Sequence, residues 1–423
     1  MNDATHPIQL RDYRLIWLTR FFAVNAMNAV VVVIGAQVYL LARGSYGMSQ
    51  SEAAFMLGLL GLAQFVPFML LTPVAGLIAD RLDRRIIAAS ASMIDLGICC
   101  TLAIANTIGA LSLPLLFALA ALHGSARVFI GPATSSIVPN VVPATLLPKA
   151  IATSAIAWQS AAVIAPAVGG VLLAASPALP YWYGAVLLVI AVACLLSIKP
   201  VPRPVTTSDQ SPLQQMADGG RFVWRERFLL GCVTLDLFAV LLGGATAMLP
   251  VFAYDILHVG DAGLGFLRGA PALGAALMAI YLGIRPIERN VGAKMLWAVV
   301  LFGIATIVFG LSRSFGLSLT ALFVLGAADA ISVFIRSALV QLNTPDAMRG
   351  RVSAISGLAI SASNELGEMQ SGFVAAWLGA IGSVVFGGIG AILVTAAWAW
   401  FFPELLRART FAPQYPQQKD PVP

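Results

Sequence analysis

The sequence predicts an all-α membrane protein: twelve transmembrane helices in two pseudo-symmetric six-helix bundles. Three observations carry the prediction. Of 423 residues, 59% are hydrophobic and 10% charged, against about 25% charged in an average soluble domain. Mean hydropathy is +0.88, so a water-soluble fold of this size has no way to hide its apolar surface. Apolar runs long enough to cross a bilayer core, roughly 20 residues for about 30 Å, recur twelve times. The composition equally excludes a disordered chain, a collagen and a disulfide scaffold.

The first six runs lie at 14–42, 52–79, 86–108, 112–138, 145–174 and 180–198. The second six lie at 228–257, 262–284, 292–312, 315–341, 350–379 and 381–402. Helix breakers separate them. Pro139 and Pro143 follow the fourth run, Pro177 and Pro180 divide the fifth from the sixth, and Pro345 precedes the eleventh. The first dozen residues are polar and no cleavable leader is evident. Residues 199–227 are polar, basic and proline-rich at their start, which reads as a cytoplasmic linker. An amphipathic helix near Leu213–Trp224 is expected within it, lying at the membrane surface. The organisation is therefore an N-terminal bundle over 1–198, the linker over 199–227, a C-terminal bundle over 228–402, and a cytoplasmic tail over 403–423.

Charge placement sets the orientation. With the N-terminus cytoplasmic, nineteen Lys and Arg fall inside, only Arg43 and Arg313 fall outside, and Arg20, Arg127, Arg268 and Arg336 lie within spans. Both termini are then cytoplasmic. The net charge of +6 is a topology signal, and nucleic acid is not implied. Cys99, Cys100, Cys194 and Cys232 all sit in apolar runs without metal-ligand spacing, as small packing residues do.

The halves resemble one another at an offset of about 202–204 residues: Pro67 with Pro271, Arg81 and Arg85 with Arg285 and Arg289, Pro143 with Pro345, Gly170 with Gly372, and Arg127 with Asp329. Such internal repeats place a site at the interface of two halves.

Two local patterns carry mechanical chemistry. Between the second and third runs stand Gly76, Asp80, Arg81, Arg84 and Arg85. A glycine allows close helix approach, and an acid at a helix end pairs with bases or with a neighbouring helix N-terminus. In the fifth run, Ala165-Pro166 precedes Gly169-Gly170; a mid-helix proline permits a kink and paired glycines permit tight packing.

The first pattern, G-x-x-x-D-R-x-x-R-R, resembles the cytoplasmic signature loop of the major facilitator superfamily, with Asp83 where the family's glycine stands. The resemblance implies a loop that stabilises the outward-open state and gates the change of access. The second is similar to the G-P-x-x-G-G signature of the family's antiporters, with Ala165 for the first glycine, and implies export by antiport. Gly131 to Pro139, Thr344–Val352 and Asn364-Glu365-Leu366-Gly367-Glu368 look like the twelve-span branch that holds drug:proton antiporters and the enterobactin exporter subfamily. The resemblance covers nearly the whole chain.

Ionisable side chains within a bilayer are costly and mark function by default. Arg127, Asp329 and Glu365 lie near mid-span, Glu368 is one turn from Glu365, and Arg336 is two turns from Asp329. Asp329, Glu365, Glu368 and Arg127 are the proton-coupling candidates, with structural ion pairing as the rival reading. In the family the first, fourth, seventh and tenth helices line the cavity. Arg20, Arg127, Asp236, Asp329 and Arg336 fall on these four, and Asn25 and Asn28 give the first a polar face. Arg20, Asn25, Asn28, Asp236 and Arg336 are thus cavity or gate candidates. Asp95 reads as structural, and His123 as a packed histidine or, less favoured, a proton site.

No G-x-x-x-x-G-K-[ST], H-E-x-x-H or G-x-S-x-G motif occurs, so no enzyme, cofactor or metal is expected. The expected protein is a monomer of the bacterial inner membrane that exports a small amphipathic cargo, a drug or siderophore, in exchange for protons. A metabolite importer or facilitator is the alternative, and a transport-dead sensor or scaffold the alternative of another class.

Overall fold

The computed structural model describes residues 5–200 and 212–412, apart from the side chains of residues 73, 76, 77, 79–81, 132, 212, 213 and 215. The described residues form helices and turns, with no strand among them. Six helices come first: α1 (Arg11–Gly44), α2 (Gln50–Arg81), α3 (Arg84–Thr107), α4 (Leu113–Val141), α5 (Leu147–Ala175) and α6 (Leu179–Leu196). Then follow α7 (Pro212–Arg225), α8 (Arg227–Leu242), α9 (Leu249–Val251), α10 (Gly260–Ile284), α11 (Val291–Leu311), α12 (Phe315–Leu342), α13 (Asp346–Phe401) and α14 (Pro403–Arg407).

Among the described residues, eleven stretches are long and apolar enough to span a bilayer. The last, α13, counts twice, because Gly379 interrupts it at φ 72°, ψ 169°. That backbone region is essentially reserved for glycine, and it separates the eleventh span from the twelfth at the junction the hydropathy predicts. The twelve-helix count therefore stands.

Helix ends follow local chemistry. Ser49 and Glu52 form a reciprocal capping box at the start of α2, with bonds of 3.2 and 2.7 Å. Asp83, the departure from the family's glycine, caps α3 by accepting from the Arg85 amide at 2.9 Å. Pro166 and Pro271 lie inside α5 and α10 without ending them.

The seventh span is not one helix over 228–257. After α8 the chain breaks at Gly243-Gly244, runs as a 3-10 turn over Ala245–Met248, and continues through α9 into a π-helical turn, Phe252–Ile256. A Cβ on Gly244 would stand 2.6 Å from Ser371 Oγ and 2.7 Å from the Gly367 carbonyl carbon. Only a bare backbone fits there, so the break is held by packing.

By contacts the chain divides into two compact units. One holds α1–α6 together with Leu249–Ala272; the other holds α7, α8 and the chain from Leu273 onward. In the first unit α1 is central, packed on α5, α6, α2 and α4. Polar bridges tie it there: Tyr13 donates to the Ala150 carbonyl at 2.7 Å, Trp17 to Thr153 at 2.9 Å, and Gln37 to Asn106 at 2.8 Å. In the second unit α13 packs on α8 and α11, and α11 on α12. Its core gathers Phe228, Cys232, Leu235, Met295, Ile335 and Leu339, all buried.

Candidate functional site

Two ionisable side chains of the second unit meet inside the bundle. Asp236 on α8 and Arg336 on α12 form an ion pair, with only 8% and 5% of their side chains exposed. Cys232 and Leu235 on α8, and Ile335 and Leu339 on α12, are fully buried around them. The pair therefore sits in an apolar wall. It lines a cavity of about 200 Å³ between α8, α12 and α13, with Val233, Gln341, Ser356 and Ile360 among the other lining residues. Drug-sized ligands occupy pockets of about 300–1,000 Å³, so this space is smaller than a drug-sized site.

Asp329, half-buried, lies two turns from Arg336 on α12 and within electrostatic reach of both members of the pair. Sequence spacing associates Arg336 with Asp329; the structure gives its ion pair to Asp236. On α13, Glu365 is buried and Glu368 half-buried. Gly367 between them is pressed on α8, where a Cβ would stand 2.8 Å from the Val240 carbonyl oxygen.

In the first unit Arg127, half-buried on α4, lies 5.2 Å over the Phe68 ring of α2, a cation–π contact. Arg20 and Asn28 are half-buried on α1. Asn25 is buried and its amide oxygen accepts from the Tyr183 hydroxyl at 2.7 Å, which joins α1 to α6. Arg84 donates to the Ser136 carbonyl of α4 at 3.0 Å. Arg85 pairs with Asp83 at 2.6 Å and also donates to the Ile198 carbonyl beyond α6. These two arginines therefore fasten the start of α3 to its neighbours. Gly76, Asp80 and Arg81 are in α2, and their side chains lie outside the described residues.

Pro166, Gly169 and Gly170 make close backbone contacts. A Cβ on Gly169 would stand 3.1 Å from the Ala29 carbonyl oxygen of α1. On Gly170 it would stand 2.6 Å from the Asp261 carbonyl oxygen and 2.7 Å from Gly265 Cα. Gly265 in turn faces the Pro166 carbonyl oxygen, 2.5 Å from where its own Cβ would be. The glycine face of α5 is thus packed on α10, and Gln159 extends the seam by donating to the Ala272 carbonyl at 2.9 Å.

Two pairings escape sequence reasoning. His123 Nδ1 lies 2.9 Å from Asp95 Oδ1, both residues buried. The signal for it was there: the two residues are equidistant from Gly109 in the turn between α3 and α4, so an antiparallel hairpin puts them at one depth. The second is a cluster in which Tyr39 donates to Asp255 at 2.6 Å, Arg43 approaches the same carboxylate at 3.6 Å, and Tyr254 donates to Asp261 at 2.5 Å. The Tyr39 and Tyr254 rings stack at 6.2 Å. No pattern in the sequence links Tyr39 and Arg43 to Asp255, more than 200 positions away. Tyr39→Phe is expected to lower thermal stability by about 1–2 kcal/mol, since it strands a carboxylate oxygen from a charge-assisted bond; calorimetry in detergent measures it.

Ionisable side chains inside a polytopic helical protein mark a functional path through the membrane, and the relatives of this chain are transporters rather than enzymes. The sequence model of the Major Facilitator Superfamily matches residues 16–367, and the chain belongs to that family. It is 26% identical over 415 residues to the enterobactin exporter EntS of Escherichia coli O1:K1 / APEC, covering 97% of this chain and 95% of that one. The same values hold for EntS of Shigella boydii serotype 18. Among solved structures, a D-xylose–proton symporter is similar with a TM-score of 0.71 at 14% identity, covering 93% of this chain and 98% of that one. A bacterial homologue of the human lysosomal transporter Spinster, inward-facing and unoccupied, gives 0.70 at 16%, covering 95% and 98%. These two likenesses concern the fold alone.

Proposed function

We propose that the protein is a monomeric bacterial inner-membrane exporter that moves a small amphipathic molecule, a drug or a siderophore, outward in exchange for protons. Both termini are cytoplasmic in this reading, by the nineteen-to-two bias of basic residues. The halves are 1–198 and 228–402, joined by the linker. The observation that supports proton coupling is the buried Asp236–Arg336 pair beside a small pocket, with Asp329 two turns from Arg336 on α12. Export is supported by the likeness to EntS along nearly the whole chain.

Asp329 and Glu365, with Glu368 and Arg127, serve as the proton-coupling groups. A carboxyl that takes up a proton loses its charge, and with it the hold on a neighbouring guanidinium. Arg336 and Asp236 act as a gate pair, and Arg20, Asn25 and Asn28 face the path. The arginines of the signature loop, with Gly76, Asp80 and Arg81, steady one state, and the glycine seam at Pro166–Gly170 steadies the opposite closure.

Inside-out vesicles with an acidic lumen test the reading. Addition of siderophores, macrolides or cationic dyes is expected to release lumenal protons, seen with a pH-sensitive fluorophore and absent from empty vesicles. Asp329→Asn and Glu365→Gln are each expected to lower that rate at least about tenfold, a barrier change of roughly 1.4 kcal/mol or more. Full rates in both variants would remove these two as carriers. Cargo accumulation by intact cells would favour import.

A further inference from the structure

We propose that α7 and the head of α8 form a binding site for the headgroup of an anionic phospholipid, built by Arg221, Trp224 and Arg225. The helix α7 is amphipathic. One face is committed to protein: Val223 is buried, Phe222 packs on the same core, and a Cβ on Gly219 would stand 2.8 Å from the Arg351 carbonyl oxygen of α13. The opposite face presents Arg221, Trp224 and Arg225, at the i, i+3 and i+4 positions that stack on one side of a helix. All three are exposed, Trp224 by 76%.

The two guanidiniums are available. Among the described residues Arg225 has no ion-pair or hydrogen-bond partner. Among the same residues Arg221 reaches only Asp218, at 3.4 Å with 73% of the arginine side chain exposed, and Asp218 is shared with Arg351 at 3.5 Å. Arg227, by contrast, is occupied: it donates to the Phe401 carbonyl at 2.7 Å and approaches Glu404 at 3.6 Å. Arg221 and Arg225 therefore keep donors for an outside phosphate, which guanidinium groups bind in a fork.

Position selects the lipid over a soluble anion. Only Glu226 separates α7 from the span begun by α8, so the arginines are held where a bilayer's headgroups lie. The same end carries a second aromatic anchor, because Arg227 fixes the head of α8 to the end of α13, where Trp400 is 76% exposed. Tryptophan prefers that interfacial layer, and basic side chains beside it attract anionic lipid. An apolar tail beside Trp224 and a phosphate between two guanidiniums together define a phospholipid with net negative charge. The inference is independent of cargo and of transport direction.

The test is lipid retention by the purified full-length protein, counted by native mass spectrometry and by thermal shift. Phosphatidylglycerol is expected to remain bound and to raise the melting temperature, while phosphatidylcholine and inorganic phosphate at equal concentration do neither. Arg221→Gln/Arg225→Gln is expected to weaken phosphatidylglycerol binding about 25-fold, from roughly fivefold per arginine. Trp224→Ala is expected to weaken phosphatidylglycerol binding without creating phosphate binding. Arg313→Gln, exposed between α11 and α12, serves as the unaffected control. Equal retention by the double variant and the parent would overturn the site. An equal response to inorganic phosphate would make it a soluble-anion site, and an equal response to phosphatidylcholine would make the contact purely apolar; each also overturns the proposal. Surface arginines are expected to leave folding intact, which gel filtration and the melting temperature without added lipid verify.

Discussion

Arg336→Met is expected to destabilise the second unit by about 3–5 kcal/mol, because it leaves the Asp236 carboxylate buried without its counter-charge. Both side chains are over nine-tenths buried, and Cys232, Leu235, Ile335 and Leu339 pack beside them. A large ion-pair strength is not required for this effect. Two charges in such a wall roughly offset their own desolvation, whereas one charge alone does not. The double variant Asp236→Asn/Arg336→Met removes both and is expected to recover most of the lost stability. Arg336→Lys retains the charge but not the planar fork, and is expected to fall between. Thermal unfolding in detergent, followed by tryptophan fluorescence, ranks the four proteins. A single variant as stable as the parent would mean that the pair contributes nothing to the fold. The double variant also separates structure from transport: stable yet at least about tenfold slower in the vesicle assay is the result expected of a gate pair.

Gly170→Ala is expected to lower transport at least about tenfold while costing only about 1–3 kcal/mol of stability, the range for overpacking. A methyl group there would stand 2.6 Å from one carbonyl oxygen and 2.7 Å from Gly265 Cα. Both obstacles are backbone, so no side chain can swing aside, and α5 and α10 must part. Gly265→Ala meets the Pro166 carbonyl oxygen at 2.5 Å and is expected to act alike. Because both substitutions open one seam, the double variant is expected to be less than additive. In a cysteine-free background, a cysteine at Ala262, half-buried beside the seam, is expected to react several-fold faster with a soluble maleimide once Gly170 is replaced. Unchanged labelling and unchanged transport would show that the helices tolerate the methyl group and that the glycines have no mechanical role.

The candidate site was partly legible in one dimension. Arg336 and Asp236 were recognisable as gate candidates because each is an ionised residue at similar depth in an apolar run. Depth follows from counting residues at about 1.5 Å each. The same count matches Asp95 with His123 once the turn at Gly109 is fixed. Arg336 illustrates the limit. Its own helix offers Asp329 two turns away, yet the ion pair is with Asp236, exactly one hundred positions earlier in the chain. The cluster of Tyr39, Arg43 and Asp255 is farther still from any pattern in the sequence.

By itself the sequence determined the membrane class, the number of spans, the junction between the last two, and which ionisable residues lie within spans. These depend on hydropathy, residue length and backbone preference, all of which are local. Tertiary structure alone decided that the seventh span breaks at Gly243-Gly244, that Leu249–Ala272 packs with α1–α6, and which charge meets which. Helices that expose apolar surface all round have no periodic stripe to fix their rotation. Their facing is set instead by where small residues let backbones touch, as at Gly170 with Gly265 and Gly244 with Gly367. Those contacts are pairwise and distant in sequence, so they exist only once the helices are packed.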